Sequence, residues 1–350
     1  MNGNRNTGAR TTPLARPRWL PESVWPFQTF GLETDDSVLA VTDAGQGPVL
    51  LLVHTGTWSF IWRDLIAKLS ADFRCVCFDA PGNGRTLDAA GTAISLATAS
   101  RAVVSVIEQL NLEDITLVAH DLGGVAGLAA CTRTPERIRG IVGMNTFAWK
   151  PSGAALRTML TVIGSGFIRE VDVVTGFIPR LSSTSFGVGR HLDGPSRQAF
   201  VAGLGTRGRR SFHNYIGDAR QCDGLYDEIA RALAGPFSCL PLLTIFGERN
   251  DPFGFQQRWK ALFPDLRQVV VSKGNHFPMC DAPGLVADAM RLWHRECVAP
   301  KNLSTEGVQQ GDRLHLCDSA EGVVKYADSP EAGVARRRIS GRDEAVKGTA

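Results

Sequence analysis

Short apolar runs punctuate this chain, and each is followed by Gly, Pro or Asp before a longer helical stretch. Residues 28–54, FQTFGLETDDSVLAVTDAGQGPVLLLVH, read as two strands of alternating apolar and polar positions, a glycine-containing turn, and an unbroken apolar strand from Val49 to His54. Alternation sets one face of a strand against the core, whereas an unbroken run needs cover on both faces. FRCVCF, ITLVAH, GIVGMN, LPLLTIF and VVVS repeat the second pattern, and a helix is expected from about Pro283 to Cys297. Strands alternating with helices predict an α/β fold with a mostly parallel central sheet flanked by helices.

Between Trp149 and about Pro236 the strand rhythm stops. ALRTMLTVIGSGFIREV and SRQAFVAGL read as helices, so a helical cap, or lid, is expected after the sixth strand. The predicted organisation is a flexible arm over 1–20, core over 21–148, cap over 149–236, core again over 237–300, and a disordered tail over 301–350. In that tail, Gly, Ser and balanced charges replace the apolar rhythm.

Composition narrows the classes of function. The 350 residues are 43% hydrophobic and 21% charged, the balance of a globular enzyme. A net charge of +3 on 38 basic and 35 acidic residues gives no field that argues for nucleic acid or membrane as a partner. Eight cysteines lack CxxC pairs and zinc-ligand spacing, as expected of reduced core thiols in a cytoplasmic protein, and no metal site is expected. No apolar run approaches the ~18 residues of a membrane span, and the opening lacks the apolar segment of a secretory signal.

The chemistry concentrates in LVAHDLGGVAGLAA, where a strand turns at once into a helix at Asp121. Such a turn strains the backbone of a nucleophile and tolerates only small neighbours, here Ala119, Gly123 and Gly124. A helix N-terminus also favours an ionised carboxylate. The plainer alternative is an Asp that caps a helix. An elbow of this kind calls for an acid and a histidine later in the chain, each after a sheet strand. His276, in SKGNHFPMCDAP, is the expected general base. Asp251, in FGERNDPFG, is the expected acid that orients it, with Glu248 as the competing choice. HTGTWSF follows the central strand, and Thr55 or Gly56 would donate a backbone N–H to an oxyanion hole beside that of Leu122. DAPGNGRT lacks a phosphate-loop pattern and reads as a tight turn beside the pocket.

WLPESVWPF, LLVHTGTWSFIWRDLI, FDAPGNGRT, VAHDLGGVAGL, GMNTFAW, FGERNDPF and GNHFPMCDAP together resemble the α/β-hydrolase fold, and within it the haloalkane dehalogenases and their near relatives the epoxide hydrolases. The resemblance runs from about Trp19 to Cys297. It implies that Asp121 attacks a saturated carbon to form an alkyl ester, which His276 hydrolyses through water, with no metal or organic cofactor. The implied partners are a small hydrophobic substrate and water, and the implied assembly is a monomer or small homo-oligomer. Cleavage of a carbon–halogen bond is the leading expectation. Epoxide hydrolysis, another α/β-hydrolase activity and a catalytically silent ligand-binding protein are the alternatives.

Two departures bear on that expectation. Similar dehalogenases carry Trp after the nucleophile, where this chain has Leu122, and HTGTWSF is shorter than the usual loop. Trp58, Trp149, Asn145 and Tyr215 are the candidates for lining the pocket or gripping a leaving group. Asn145 stands where some relatives carry the acid, and its being an amide favours Asp251 for that role. Tyr215 and Tyr226 are expected to pack against cap helices, His213 to be solvent-exposed, and Arg207, Arg209 and Arg210 to form a solvated cap surface.

Overall fold

The structure, a computed structural model, describes residues 8–299 and the backbone of 323–326. One sheet runs through it. Strands β1 (Thr11–Pro13), β2 (Phe30–Glu33) and β3 (Ser37–Ala44) make an antiparallel edge. The rest are β4 (Val49–Val53), β5 (Arg74–Phe78), the two-residue β6 (Leu87–Asp88), β7 (Ile115–His120), β8 (Ile138–Met144), β9 (Leu242–Gly247), β10 (Arg267–Val271) and β11 (Val323–Tyr326). Their spatial order is β1-β2-β3-β5-β4-β7-β8-β9-β10-β11, with β6 beside β3. Every pairing from β5 to β11 is parallel.

The unbroken apolar runs explain this layering. Leu51, Val53, Leu117 and Ala119 enter the core on one face of the sheet, while Leu50, Leu52 and Val118 enter the core on the other. Successive side chains of a strand point to opposite faces, so both faces must be covered. The cover comes from α1 (Arg63–Leu69), α2 (Leu96–Gln109) and α3 (Gly123–Cys131), and, after the cap, from α10 (Phe255–Leu262), α11 (Pro278–Asp281) and α12 (Pro283–Trp293). The cap itself lies between β8 and β9 as α4 (Ala154–Ile163), α5 (Gly166–Thr175), α6 (Phe177–Ser182), α7 (Gly194–Gly203), α8 (Thr206–Asp218) and α9 (Asp223–Ala234).

Two expectations change at the chain ends. Thr11–Pro13, placed by sequence in a flexible arm, pairs with β2, because the edge of the sheet accepts another strand. Val323–Tyr326, placed in a disordered tail, pairs with β10 at the opposite edge. The remainder of those two segments, 1–7, 301–322 and 327–350, lies outside the described residues.

The chain leaves β4 toward β5 and then crosses to β7 on the other side. This reversal opens a crevice at the carboxyl ends of the strands. The loops after β4, β7, β8, β9 and β10 all meet there. The turn at DAPGNGRT anchors the cap over it, since the Tyr215 hydroxyl donates to Pro81 O at 2.7 Å and the Ser211 hydroxyl to Gly82 O at 3.0 Å. No helix among the described residues is long and apolar enough to cross a membrane.

Candidate active site

Asp121 follows the last residue of β7 with φ of 51°. That left-handed conformation is strained for a residue with a side chain and is held by its surroundings. The Asp121 carbonyl accepts from the Thr146 hydroxyl at 2.6 Å and from Gly124 N–H at 3.0 Å. The small residues are required as well. A Cβ on Gly123 would stand 2.4 Å from Val53 O, and one on Gly124 would stand 1.9 Å from Thr146 Oγ1. Helix α3 therefore begins hard against β4, with Leu122 at its N-cap, where the first backbone N–H groups of a helix lack intrahelical partners.

His276 comes from the loop after β10, and its Nε2 lies 3.6 Å from Asp121 Oδ2. This is ion-pair range, longer than a hydrogen bond. Its other nitrogen, Nδ1, lies 2.8 Å from Asn250 Oδ1. An amide oxygen only accepts, so Nδ1 carries a proton and donates it to Asn250, and Nε2 is the nitrogen turned to Asp121. Burial alone would raise the Asp121 carboxyl, but the His276 imidazole beside it more than offsets that and holds it at about 2. The carboxylate is therefore ionised at neutral pH.

The expected acid is elsewhere. Asp251, one residue on, turns its carboxylate to the start of α10, accepting from Phe255 N–H at 2.7 Å and Gln256 N–H at 3.1 Å. Free N–H groups at a helix start compete strongly for a carboxylate, and here they take it. Glu248 accepts from Lys273 N–H at 2.8 Å and also stands away from His276. The third member of the constellation is thus an amide, Asn250.

Asn145 enters the site in a different role. Its Nδ2 donates to His276 O at 2.7 Å and Asn275 O at 2.9 Å, and its Oδ1 accepts from Gly247 N–H at 3.1 Å. His120 Nε2 donates to the same His276 carbonyl at 2.7 Å. His276 is therefore braced through its backbone by two buried side chains. His54 Nδ1 donates to His120 O at 3.2 Å. Burial pushes His54 down to about 4 and His120 well below its usual range, so both rings are neutral. Sequence inspection passed over Asn250, His54 and His120. The signal for the two histidines was their place at the carboxyl ends of β4 and β7.

A cavity of about 330 Å³ opens onto Asp121 and His276. Its walls are mostly apolar and include Phe147, Leu156, Leu160, Phe212, Ile216 and Phe255. Of the residues expected at an oxyanion hole, Thr55 and Leu122 line the cavity, and Gly56 lies under the Phe212 ring. The Thr55 hydroxyl and His54 Nε2 have no hydrogen-bond partner among the described residues. Trp58 and Trp149 do not line the cavity: Trp58 Nε1 donates to Phe200 O at 3.1 Å, and Trp149 packs against Phe255 and Trp259. Tyr215 is turned to Pro81, and the Tyr226 hydroxyl donates to Ala219 O at 2.9 Å. Among the described residues, no Trp N–H or Tyr O–H faces the substrate space. His213, expected to be exposed, is fully buried, with Nε2 3.2 Å from Asp172. On α8, Arg210 pairs with Glu170 on the cap surface, whereas Arg207 reaches Asp88 of β6 in the core. Among the described residues, no group of three His, Cys, Asp or Glu side chains is arranged to hold a metal ion.

Comparison with known proteins agrees with this architecture. Residues 48–163 match the family model for the alpha/beta hydrolase fold. A curated haloalkane dehalogenase 2 from Mycobacterium tuberculosis is 27% identical over 276 residues, covering 76% of this chain and 95% of the relative. A cis-3-alkyl-4-alkyloxetan-2-one decarboxylase from Shewanella oneidensis is 28% identical over 326 residues, covering 89% of this chain and 99% of the relative. Among solved structures, a mutant haloalkane dehalogenase from Agrobacterium tumefaciens superposes with a TM-score of 0.67 at 17% identity, over 78% of this chain and 99% of that one.

Proposed function

We propose that this chain, an α/β hydrolase that resembles the haloalkane dehalogenases, uses Asp121 to displace a leaving group from a saturated carbon. The observation that carries this reading is the ionised Asp121 at a strained elbow, 3.6 Å from the base His276, inside an apolar cavity. A carboxylate attacking an ester would make an anhydride and gain little, whereas attack at saturated carbon makes a stable ester. In the dehalogenase-like case an Asp121 oxygen forms a bond to carbon, and halide departs with the bonding electron pair. His276 Nε2 then takes a proton from water, whose oxygen adds to the Asp121 carboxyl carbon. The N–H groups of Leu122 and Thr55 stabilise the resulting oxyanion. Collapse releases the alcohol, which takes up the proton from His276, and the second proton of the water leaves to solvent with the halide as Asp121 ionises again.

A second reading is favoured by Asn250, which leaves His276 without a carboxylate behind it, and by the lack of an aromatic N–H facing the cavity to grip halide. The relative from Shewanella oneidensis is named for a β-lactone. In such a ring Asp121 can attack the carbon bearing the ring oxygen, and the freed carboxylate stays on the substrate. Loss of carbon dioxide then places its electron pair in a C=C bond and expels the Asp121 carboxylate. This cycle consumes no water.

The test incubates the protein and its Asp121→Ala variant with bromoalkanes, terminal epoxides and a cis-dialkyl β-lactone. Halide and alcohol that depend on Asp121 support the first reading, and alkene with carbon dioxide supports the second. Products unaffected by Asp121→Ala would sink the nucleophile assignment.

A further inference from the structure

Of the nine large apolar side chains that stand exposed among the described residues, seven fall on one stretch of the cap, from Met159 to Phe186. On α5, Phe167, Val171 and Val174 recur at helical spacing and so form one stripe, with Phe167 76% and Val174 83% exposed. The helix is fixed from its other side by Asp172, which is buried against His213. Phe186, 72% exposed, follows shortly after α6. A single exposed Leu needs no explanation, but a clustered patch marks a binding surface.

Two further observations say what covers it. First, the patch continues into the substrate space: Met159 both lines the cavity and is 37% exposed, while α4 and α6 turn Leu156, Leu160 and Ile178 to the cavity interior. Second, the charge of this stretch is one-sided. Glu170 is taken by Arg169 and Arg210, and Asp172 by His213. Arg157 and Arg180, both exposed, have no ion-pair partner among the described residues. A two-fold contact with a second copy would bring these arginines toward their own kind. Exposed apolar side chains on a stretch whose Arg157 and Arg180 meet no carboxylate among the described residues, Arg180 donating instead to Thr175 O, suit anionic headgroups over acyl chains. The chain-wide charge of +3 gives no long-range attraction, but this contact is local.

We propose that the outer face of α4–α6 docks on an anionic lipid surface. Phe167, Val174 and Phe186 enter the acyl region, Arg157 and Arg180 meet the headgroups, and hydrophobic substrate passes from lipid into the cavity. The contact does not depend on which bond Asp121 breaks.

Sedimentation of the full-length protein with phosphatidylcholine vesicles, with and without phosphatidylglycerol, tests this. The protein is expected to co-sediment with the anionic vesicles, and less so as salt rises. Phe167→Ser with Val174→Ser should lower partitioning by more than about tenfold. Arg157→Glu with Arg180→Glu should remove the preference for anionic over zwitterionic vesicles. All four side chains are exposed, so unchanged thermal melting is expected of both variants. No sedimentation with either vesicle, or sedimentation that the apolar substitutions leave intact, overturns the proposal. A dimer seen by light scattering that those substitutions render monomeric would assign the face to a second copy and overturn it equally.

Discussion

The two halves of the site are built under different constraints. On the elbow side, at the ends of β4 and β7, backbone strain at Asp121, two glycines packed with no room for a Cβ, and helix N–H groups combine to aim one carboxylate. On the loop side, at the ends of β9 and β10, His276 is oriented by an amide and by donors to its own carbonyl. A charge-assisted hydrogen bond is roughly twice as strong as a neutral one, so Asn250 fixes the tautomer of His276 but stabilises its protonated form poorly. On the proposed mechanism, making an ester on Asp121 would draw on the elbow alone, and hydrolysing it would require an imidazolium, for which the loop half offers less support.

The largest effects should come from breaking each half in turn. Asp121→Ala removes the group that forms the covalent bond, and turnover of every substrate should fall by a factor on the order of 10⁴ or more with the fold intact, as read by product release and circular dichroism. His276→Gln should slow ester breakdown by roughly 10²- to 10⁴-fold. With a halide substrate, mass spectrometry of the intact protein should then show an alkyl adduct on Asp121. A β-lactone substrate bypasses water, so alkene formation should survive the same substitution. Loss of both activities together would mean that His276 serves the elbow half as well.

Next in size is a pH effect confined to the elbow half. His54 titrates at about 4 in the fold because burial disfavours its charged form, against 6.5 as its ordinary value. Above about pH 6.5 the ring is neutral in folded and unfolded chains alike, and its contribution to stability is complete. As pH falls from about 6.5 to about 4, the unfolded chain takes up the proton and the folded one does not, so stability drops by roughly 3 kcal/mol. Urea unfolding across that window should show the decline, and His54→Asn should make it shallower, the remainder belonging to His120, which burial also holds well below its usual range. A profile already flat in the unsubstituted protein would contradict the neutral His54.

The same contrast explains what could be read from the sequence. The sheet was legible because burial on both faces writes unbroken apolar runs such as VLLLV and ITLVAH. Asp121 and His276 were legible because strained turns and ends of strands restrict which residues fit. Asp251 was not, because consecutive loop residues point in different directions and the helix start claimed its carboxylate. A search among acids also passes over Asn250, which does not titrate. His213 was misjudged because its partner Asp172 lies 41 residues away and becomes a neighbour only when α5 and α8 pack. Strand β11 was missed because four apolar-to-polar residues, VVKY, carry little signal inside a charged segment.

The smallest effect is the most discriminating, because it adds a group instead of removing one. Asn250→Asp would place a carboxylate 2.8 Å from His276 Nδ1 if the side chain keeps its position. The change is nearly isosteric, and the new oxygen accepts from the same N–H. A hydrogen bond to a charged group exceeds a neutral one by about 1 kcal/mol, so ester hydrolysis should rise roughly fivefold. Ester formation, which depends on the elbow, should be unchanged. Pre-steady-state halide release and steady-state turnover separate the two steps. If both rise together, the neutral bond at Asn250 limits Asp121 as well as water activation. If neither rises, the imidazolium is stabilised elsewhere, and the weakness assigned to the loop half is not what limits turnover. Asn250→Ala completes the comparison: Nδ1–H loses its acceptor, and hydrolysis should fall by about tenfold, with the ester again formed at its original rate.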